Sequence, residues 1–296
     1  MDPAPPALAP ALSRLLGALG RPAGGGHPGP GAPRRGPVPA AGPARGGRVR
    51  RHRAGAGPPG GRPAVSATPP VAWVDVDGTL LEGRRSSEAG FMLWLARRGC
   101  LGPRQGAAAL WFLLRQLPRY GRHVGKKDKA YLAGLEVGRV RRLAQAYAAQ
   151  ALFPRLRPSL VARLEAHRAA GTAVLLLTGT PDFLAEPLAR RVGAAGWIAT
   201  RCAIREGRFL AAPPRQHPFG AEKRRLAEAW CRQRGLPLAQ CAAYGDSGHD
   251  LPLLEAVAWP VAVAPDRRLA AEAARRGWPV LDGAPAGRRL SGPARP

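Results

Sequence analysis

The sequence has few acidic residues, few lysines and few cysteines. Of its 296 residues, 19 are Asp or Glu and 46 are Lys or Arg, so the formal net charge is +27 at pH 7. A chain this basic is expected to meet anionic partners such as phosphorylated metabolites, lipid headgroups or, without sequence specificity, nucleic acid. The lysines are only Lys126, Lys127, Lys129 and Lys223. The arginine excess therefore also reflects a compositional bias, and charge alone does not select a partner.

Other features that the sequence lacks argue against several classes of protein. The four cysteines, Cys100, Cys202, Cys231 and Cys241, form no CxxC pair and have no histidine at metal-ligand spacing. This pattern argues against a zinc site and is typical of buried thiols in a reducing compartment. No window holds the roughly 18 apolar residues of a membrane-spanning helix, and the N-terminus has no secretory apolar region. We predict a cytoplasmic protein without a membrane span.

Residues 1 to 68 differ in composition from the rest of the chain. They are rich in Pro, Gly, Ala and Arg, and they carry ten arginines against one acid, Asp2. Such a segment cannot bury enough apolar surface to offset the entropy lost on ordering. The composition predicts a disordered arm, with room for only a short helix from Ala7 to Leu19.

The most informative stretch runs from Val71 to Leu80 and places two aspartates after an apolar run. Val71 to Val74 is typical of a strand that is covered on both faces, so Asp75 and Asp77 follow its carboxyl end. The dipeptide Asp77-Gly78 could also form a simple turn. A calcium-binding loop would need Gly at its sixth position and an acid at its twelfth, but this sequence has Leu80 and Ser86 there.

Helix and strand patterns divide the remaining chain. Residues 85 to 170 carry helical signatures, beginning after Ser86 or Ser87. From residue 171 strands alternate with helices, and Thr180 and Pro181 fit the N-cap and first residue of one helix. The alternation predicts an α/β fold with a doubly wound, Rossmann-like parallel sheet. The predicted divisions are a core of residues 69–84 and 171–281, a helical insert of 85–170 and a flexible tail of 282–296.

Three predicted strands end in polar residues, and these ends meet at one edge of a parallel sheet. Asp75, Asp77, Asp246 and Asp250 would converge there. Two like charges 4 Å apart repel by about 4 kcal/mol at an effective dielectric constant of 20, so four carboxylates require a cation. All candidate ligands are oxygens, which favours Mg²⁺ as the cofactor.

The same edge is suited to phosphoryl transfer. Asp75 would attack phosphorus as the nucleophile, and Asp77 would act as general acid and then general base. Thr178 and the amide of Gly179 would hold phosphoryl oxygens, while Lys223, on an intervening helix, would offset negative charge.

These residues, taken in order, resemble the four motifs of the haloacid dehalogenase (HAD) superfamily of phosphatases. The motifs are Asp75 to Thr79, then Thr178, then Lys223, then Gly245 to Asp250. The helical insert after the first motif resembles the cap of phosphoserine phosphatases. The residues from Ala243 to Asp266 are similar to subfamily IB hydrolases, and the resemblance covers about residues 70 to 281.

The resemblance implies a metal site and a reaction. It implies that Asp75, the backbone carbonyl of Asp77, and Asp246 are direct metal ligands, with Asp250 bound directly or through one water. It also implies a phosphoric monoester hydrolase that acts on a small organic phosphate through an aspartyl-phosphate on Asp75.

One position departs from the pattern of the phosphoserine-specific members of the family. Phosphoserine-specific members carry an acid nine residues after the nucleophile, where this chain has Arg84. Arg84, Arg85 and the basic stretch 119–127 are more compatible with an acidic or larger substrate, although they could equally be solvated surface residues. The alternatives are a phosphotransferase, a lipid-phosphate phosphatase, or binding to an anionic surface or nucleic acid through the Arg-rich arm. No specific nucleic acid partner is predicted, and the oligomeric state stays open.

Overall fold

The computed structural model describes residues 68–83, 85–121 and 128–282. The predicted arm of residues 1–68, with its helix from Ala7 to Leu19, lies outside the described residues apart from its last position. Arg84, most of the basic stretch 119–127 and the tail after Asp282 lie outside them as well. The predicted roles of these segments therefore stay predictions.

A six-stranded parallel sheet forms the centre of the described chain. Its strands are β1 Val71–Val74, β2 Ala173–Pro181, β3 Gly196–Thr200, β6 Ala242–Gly245, β7 Trp259–Val263 and β8 Val280–Leu281. Their order across the sheet is β3-β2-β1-β6-β7-β8. A separate two-stranded antiparallel hairpin is formed by β4 Ile204–Arg205 and β5 Arg208–Phe209. The predicted α/β class with a parallel, Rossmann-like sheet is confirmed.

The central strand β1 is buried along its whole length because both faces of the sheet are covered. Ala72 and Val74 point into one hydrophobic cluster, and Val71 and Trp73 point into the other. Successive side chains of a strand point to opposite faces, which explains why the sequence reads as one continuous apolar run.

Helices pack on both faces of the sheet and fill the segment between β1 and β2. They are α1 Ser87–Arg97, α2 Pro103–Tyr120, α3 Val137–Tyr147, α4 Pro158–Ala169, α5 Asp182–Arg191, α6 Ala221–Arg232, α7 Leu251–Leu254 and α8 Arg267–Arg276. A π-helical turn, Ala148–Leu152, extends α3, and short 3₁₀ turns lie at Ala130–Leu132, Phe153–Arg155 and Leu238–Gln240. In the part of the chain that the structure describes, no helix combines the length and apolar character needed to cross a bilayer.

One local expectation, that Thr180 caps α5 and Pro181 begins it, is wrong. Strand β2 continues through Pro181, and α5 begins at Asp182. The register between β2 and β3 shifts between Leu177 and Pro181, so the chain stays extended past Thr178. Because of this extension, the hydroxyl of Thr180 lies in the site instead of capping the helix.

Candidate active site

The loop after β1 carries Asp75 and Asp77 to the carboxyl edge of the sheet. The amide of Asp75 donates to the carbonyl of Tyr244 in β6 at 3.1 Å, which ties the start of the loop to the neighbouring strand. Gly78 then turns the chain with a φ of +87°. A Cβ on Gly78 would lie 2.1 Å from Oδ2 of Asp246. The turn therefore requires glycine both for its backbone angle and for the room that Asp246 occupies.

Three carboxylates converge beside this loop. Asp75, Asp246 and Asp250 each offer an oxygen, and these oxygens lie within 4.8 Å of one another. Asp250 is held by the amide and hydroxyl of Ser247, at 3.2 and 3.1 Å. Asp246 accepts a hydrogen bond of 3.2 Å from the hydroxyl of Thr79.

Lys223, in the first turn of α6, is the cation at the centre of this group. Its Nζ lies 2.8 Å from Oδ1 of Asp75 and 2.6 Å from Oδ1 of Asp250. Lys223 and Asp250 are buried, and the Asp75 side chain is 13% exposed. Burial alone would lower the pKa of Lys223, but the charges of Asp250 and Asp75 raise it above its ordinary value. Lys223 is therefore a fixed positive charge.

The positive charge of Lys223 does not balance the negative charge of the three carboxylates. Burial raises the pKa of Asp75 to about 6, although the charge of Lys223 opposes the shift. Burial, and then the charges of Asp75 and Asp250, raise the pKa of Asp246 to about 7. Carboxylates with raised pKa values in a shared site indicate that a further positive charge would be bound favourably.

Asp77 lies apart from that cluster and is held by α1. Its Oδ1 accepts from the amide of Ser87 at 2.8 Å, and its Oδ2 accepts from the hydroxyls of Ser87 at 3.0 Å and Thr180 at 3.3 Å. Burial nevertheless raises the pKa of Asp77, and those hydrogen bonds only partly counter the rise. A half-buried carboxyl with a raised pKa and a fixed orientation is suited to proton transfer.

Thr178 and Gly179 lie on the extended end of β2. The hydroxyl of Thr178 donates to the hydroxyl of Thr180 at 3.1 Å and accepts from its amide at 3.1 Å. The carbonyl of Gly179 accepts from the hydroxyl of Thr200 at 2.6 Å, and Thr200 also contacts Nδ1 of His217 at 2.8 Å. The two predicted phosphate-binding residues are thus fixed by neighbours on β2 and β3.

A cavity of about 690 Å³ joins these groups. Its polar end is formed by Asp75, Asp77, Thr178, Gly179, Lys223 and Asp246. Its apolar lining comes from the segment between β1 and β2 and includes Met92, Ala109, Leu113 and Tyr131. Glu88 and Asp128 also line it. A volume of this size is typical of small-molecule sites.

The residues present fit a magnesium ion. The donor set consists of carboxylate oxygens within reach of one ion, which matches the preference of hard divalent cations. The carboxylate of Asp77 is not in this set because it is bonded to Ser87 and Thr180. Only the backbone carbonyl of Asp77 could then serve as the ligand that the family resemblance implies.

Sequence reasoning missed three residues of the site: Ser87, Thr180 and Arg157. For Ser87 and Thr180 the local sequence indicates only helix caps. Arg157, at the start of α4, is buried and donates to the carbonyls of Thr79 and Gly78, at 2.9 and 3.1 Å. Its Nη1 also lies 3.4 Å from Oδ2 of Asp282. A buried arginine whose partners are backbone carbonyls and a distant carboxylate has no short sequence motif, so no local signal could have identified it.

Comparisons with known proteins agree with this geometry. The model of the family described as haloacid dehalogenase-like hydrolase matches residues 72–255, more than half of the chain. A probable phosphatase of Mycobacterium tuberculosis (strain ATCC 25618 / H37Rv) is 30% identical over 232 residues, which cover 75% of this chain and 78% of that protein. A phosphoserine phosphatase of the same strain is 29% identical over 216 residues, which cover 72% and 70%.

A solved structure is similar as well. The crystal structure of a protein with unknown function from Bordetella pertussis Tohama I aligns with a TM-score of 0.62 and 29% identity, and it covers 73% of this chain and 99% of that chain. The predicted resemblance to phosphatases of the haloacid dehalogenase superfamily and the predicted enzyme class, a phosphoric monoester hydrolase, are confirmed. This chain belongs to the haloacid dehalogenase-like hydrolases.

Proposed function

We propose that this hydrolase is a magnesium-dependent phosphomonoesterase that acts on a small organic phosphate through an aspartyl-phosphate on Asp75. The observation that carries the proposal is the convergence of the carboxylates of Asp75, Asp246 and Asp250, with Lys223 bonded to Asp75 and Asp250, beside one cavity. Such a cluster offers a nucleophile, a fixed cation and oxygen ligands at one point.

Mg²⁺ would be held by Asp75, Asp246 and Asp250, with the carbonyl of Asp77. When bound, the ion supplies positive charge beside the phosphoryl oxygens. The raised pKa values of Asp75 and Asp246 support this assignment, because both carboxylates lie in a buried site that Lys223 alone does not neutralise.

In the first half of the reaction, an oxygen of Asp75 attacks phosphorus and the bond from phosphorus to the ester oxygen breaks. Asp77 donates its proton to the departing alkoxide, so an alcohol is released and Asp77 becomes a carboxylate. Ser87 and Thr180 hold the Asp77 carboxyl in one orientation. Its raised pKa favours the protonated form that this step requires.

In the second half, water attacks the phosphorus of the aspartyl-phosphate. Asp77 takes a proton from that water, the bond from phosphorus to the Asp75 oxygen breaks, and inorganic phosphate and the Asp75 carboxylate are regenerated. Throughout, Thr178 and the amide of Gly179 hold phosphoryl oxygens, and Lys223 offsets the charge of a dianion near Asp75.

The substrate is expected to be a phosphate ester whose organic part reaches the walls formed by Met92, Leu113 and Tyr131. The names of the relatives, a probable phosphatase and a phosphoserine phosphatase, support a small phosphorylated substrate. Phosphoserine itself is not favoured, because Arg84 stands where phosphoserine-specific members carry an acid. Arg85 does not contribute to the cavity wall, so Arg85 gives little support to an acidic substrate.

The proposal is tested by measuring phosphate release from p-nitrophenyl phosphate and a panel of phosphorylated metabolites, with Mg²⁺ and with EDTA. Asp75→Asn should abolish turnover, and EDTA should do so reversibly. Radiolabel from a ³²P-substrate should be trapped on the wild-type protein after acid quench and should be absent from Asp75→Asn.

The matched control is Glu255→Gln, an acid-to-amide change at an exposed ion pair with Arg276. It should leave turnover unchanged. Activity that survives in Asp75→Asn at the level of Glu255→Gln would exclude Asp75 as the nucleophile.

A further inference from the structure

Helix α2 exposes a stripe of large apolar side chains. Leu110, Trp111, Leu114 and Leu117 are 58%, 61%, 62% and 52% exposed. Their spacings of one, three, four and seven residues place them on one side of a helix. Single exposed leucines are common on protein surfaces, but four large apolar side chains that are each more than half exposed on one helix face form a contiguous apolar patch.

The opposite side of α2 is already occupied. Phe112 is buried and packs against Ala130, with Leu113 partly buried beside them. Leu113 and Ala109 also line the active-site cavity. Helix α2 is therefore a wall, with one face toward the substrate cavity and the apolar stripe facing outward, so the stripe is not needed to hold the helix in place.

The charges on α2 are all of one sign. The helix contains no Asp or Glu, and its first turn has no acid. Arg104 and Arg115 are exposed and lie eleven residues apart, which is about three helical turns, so they share one side. Trp111 lies four residues before Arg115 and therefore borders both this basic side and the apolar stripe.

This arrangement selects among the surfaces that could cover the stripe. A second copy of the chain, packed through the same face, would bring its own Arg104 and Arg115 against these, with no acid on α2 to compensate. A nucleic acid would use the arginines but would leave the leucines in water. An anionic lipid surface accepts both, because leucine and tryptophan enter the boundary of the acyl chains while arginine meets the headgroups.

We propose that α2 lies in the plane of an anionic lipid surface, with Leu110, Trp111, Leu114 and Leu117 inserted and Arg104 and Arg115 at the headgroups. The docked enzyme keeps its cavity behind the helix, so docking places the catalytic site next to the membrane surface without entering it. Attachment of this kind is reversible, because one short apolar face is far less apolar than a transmembrane helix.

The test is co-sedimentation of the full chain with vesicles of phosphatidylcholine and phosphatidylglycerol in equal parts, compared with vesicles of phosphatidylcholine alone. The variants are Trp111→Ser/Leu114→Ser and Arg104→Ala/Arg115→Ala. The matched control is Val280→Ser, which changes an exposed apolar side chain on β8. All variants retain residues 1–67, so a contribution from the basic arm is common to every sample.

The wild type and Val280→Ser should bind the anionic vesicles. The partition coefficient of Trp111→Ser/Leu114→Ser should be lower than that of the wild type by a factor of about ten or more. The double arginine variant should fall several-fold, and p-nitrophenyl phosphate hydrolysis should be unchanged in all four proteins. Equal binding by the wild type and Trp111→Ser/Leu114→Ser would overturn the proposal and point to the arm. Equal binding to neutral vesicles, or a dimer that this variant converts to a monomer in light scattering, would overturn it as well.

Discussion

Replacing Gly78 with alanine should disable the active site while leaving the protein folded. The new Cβ would lie 2.1 Å from Oδ2 and 2.6 Å from Cγ of Asp246, so the Asp246 carboxylate must move by about 1 Å or more to restore a van der Waals contact. A misplacement of about 1 Å in a catalytic constellation costs roughly 100-fold in rate. We expect a loss of kcat/KM of at least that order, together with weaker activation by Mg²⁺.

The backbone strain of this substitution can be measured separately. Gly78 has a φ of +87°, and Gly171 has a φ of +84°, where an added Cβ would meet no neighbouring atom within 4 Å. Both alanine variants should lose about 1–2 kcal/mol of unfolding free energy from the positive φ. Only Gly78→Ala should lose activity. If both variants retained wild-type turnover in Mg²⁺ titrations, the inferred position of Asp246 beneath the loop would be wrong.

Three further predictions concern proton transfer, metal binding and positioning. Asp77→Asn should keep the fold and slow the hydrolysis of an alkyl phosphate by roughly 100- to 10,000-fold. The loss should be smaller for p-nitrophenyl phosphate, because its leaving group needs no proton. Equal losses for both esters would contradict the general-acid role. Without metal, the raised pKa of Asp246, about 7, means that its protonated form adds stability at low pH and that this stability is lost as pH rises through that value. Because Mg²⁺ requires ionised carboxylates, the increase in Tm on adding Mg²⁺ should be larger at about pH 8 than at about pH 6. Asp246→Asn should reduce this difference, and the part that stays should come from Asp75, whose pKa is raised to about 6. Arg157→Ala should lower the unfolding free energy by about 1–3 kcal/mol, because the carbonyls of Thr79 and Gly78 lose their donor. It should also lower kcat. A loss of stability without any change in kcat would limit Arg157 to a structural role.

The sequence predicts the features that depend on neighbouring residues in the chain. A strand buried on both faces must be apolar throughout, so Val71 to Val74 identified the sheet, and the polar residues that follow it identified the ligand-binding edge. Lys223 stood out only through its place between two motifs. Its contacts of 2.8 and 2.6 Å with Asp75 and Asp250 depend on how α6 packs on the sheet, which no spacing within the helix specifies.

The hydrogen bonds that hold the Asp77 carboxyl could not be predicted, because their donors come from two elements that are distant in sequence. Ser87 begins α1 and Thr180 ends β2, and their hydroxyls lie 3.1 Å apart. Each residue alone satisfies a helix-cap pattern, and that local interpretation competed with the correct one. The extension of β2 by its irregular pairing with β3 decided the outcome for Thr180, and such irregularities leave no sequence signal as clear as a cap.

The charge balance of the site explains why these separate elements form one functional unit. Asp75, Asp246 and Asp250 bring three negative charges to one point, and Lys223 supplies one positive charge that Asp75 and Asp250 share. The deficit of two matches one divalent cation. Asp246, whose side chain accepts a hydrogen bond from the neutral hydroxyl of Thr79, has a pKa raised to about 7, higher than that of Asp75. A phosphate dianion could approach this carboxylate cluster only after that deficit is filled, so metal binding should precede productive substrate binding, and substrate affinity should fall when Mg²⁺ is removed.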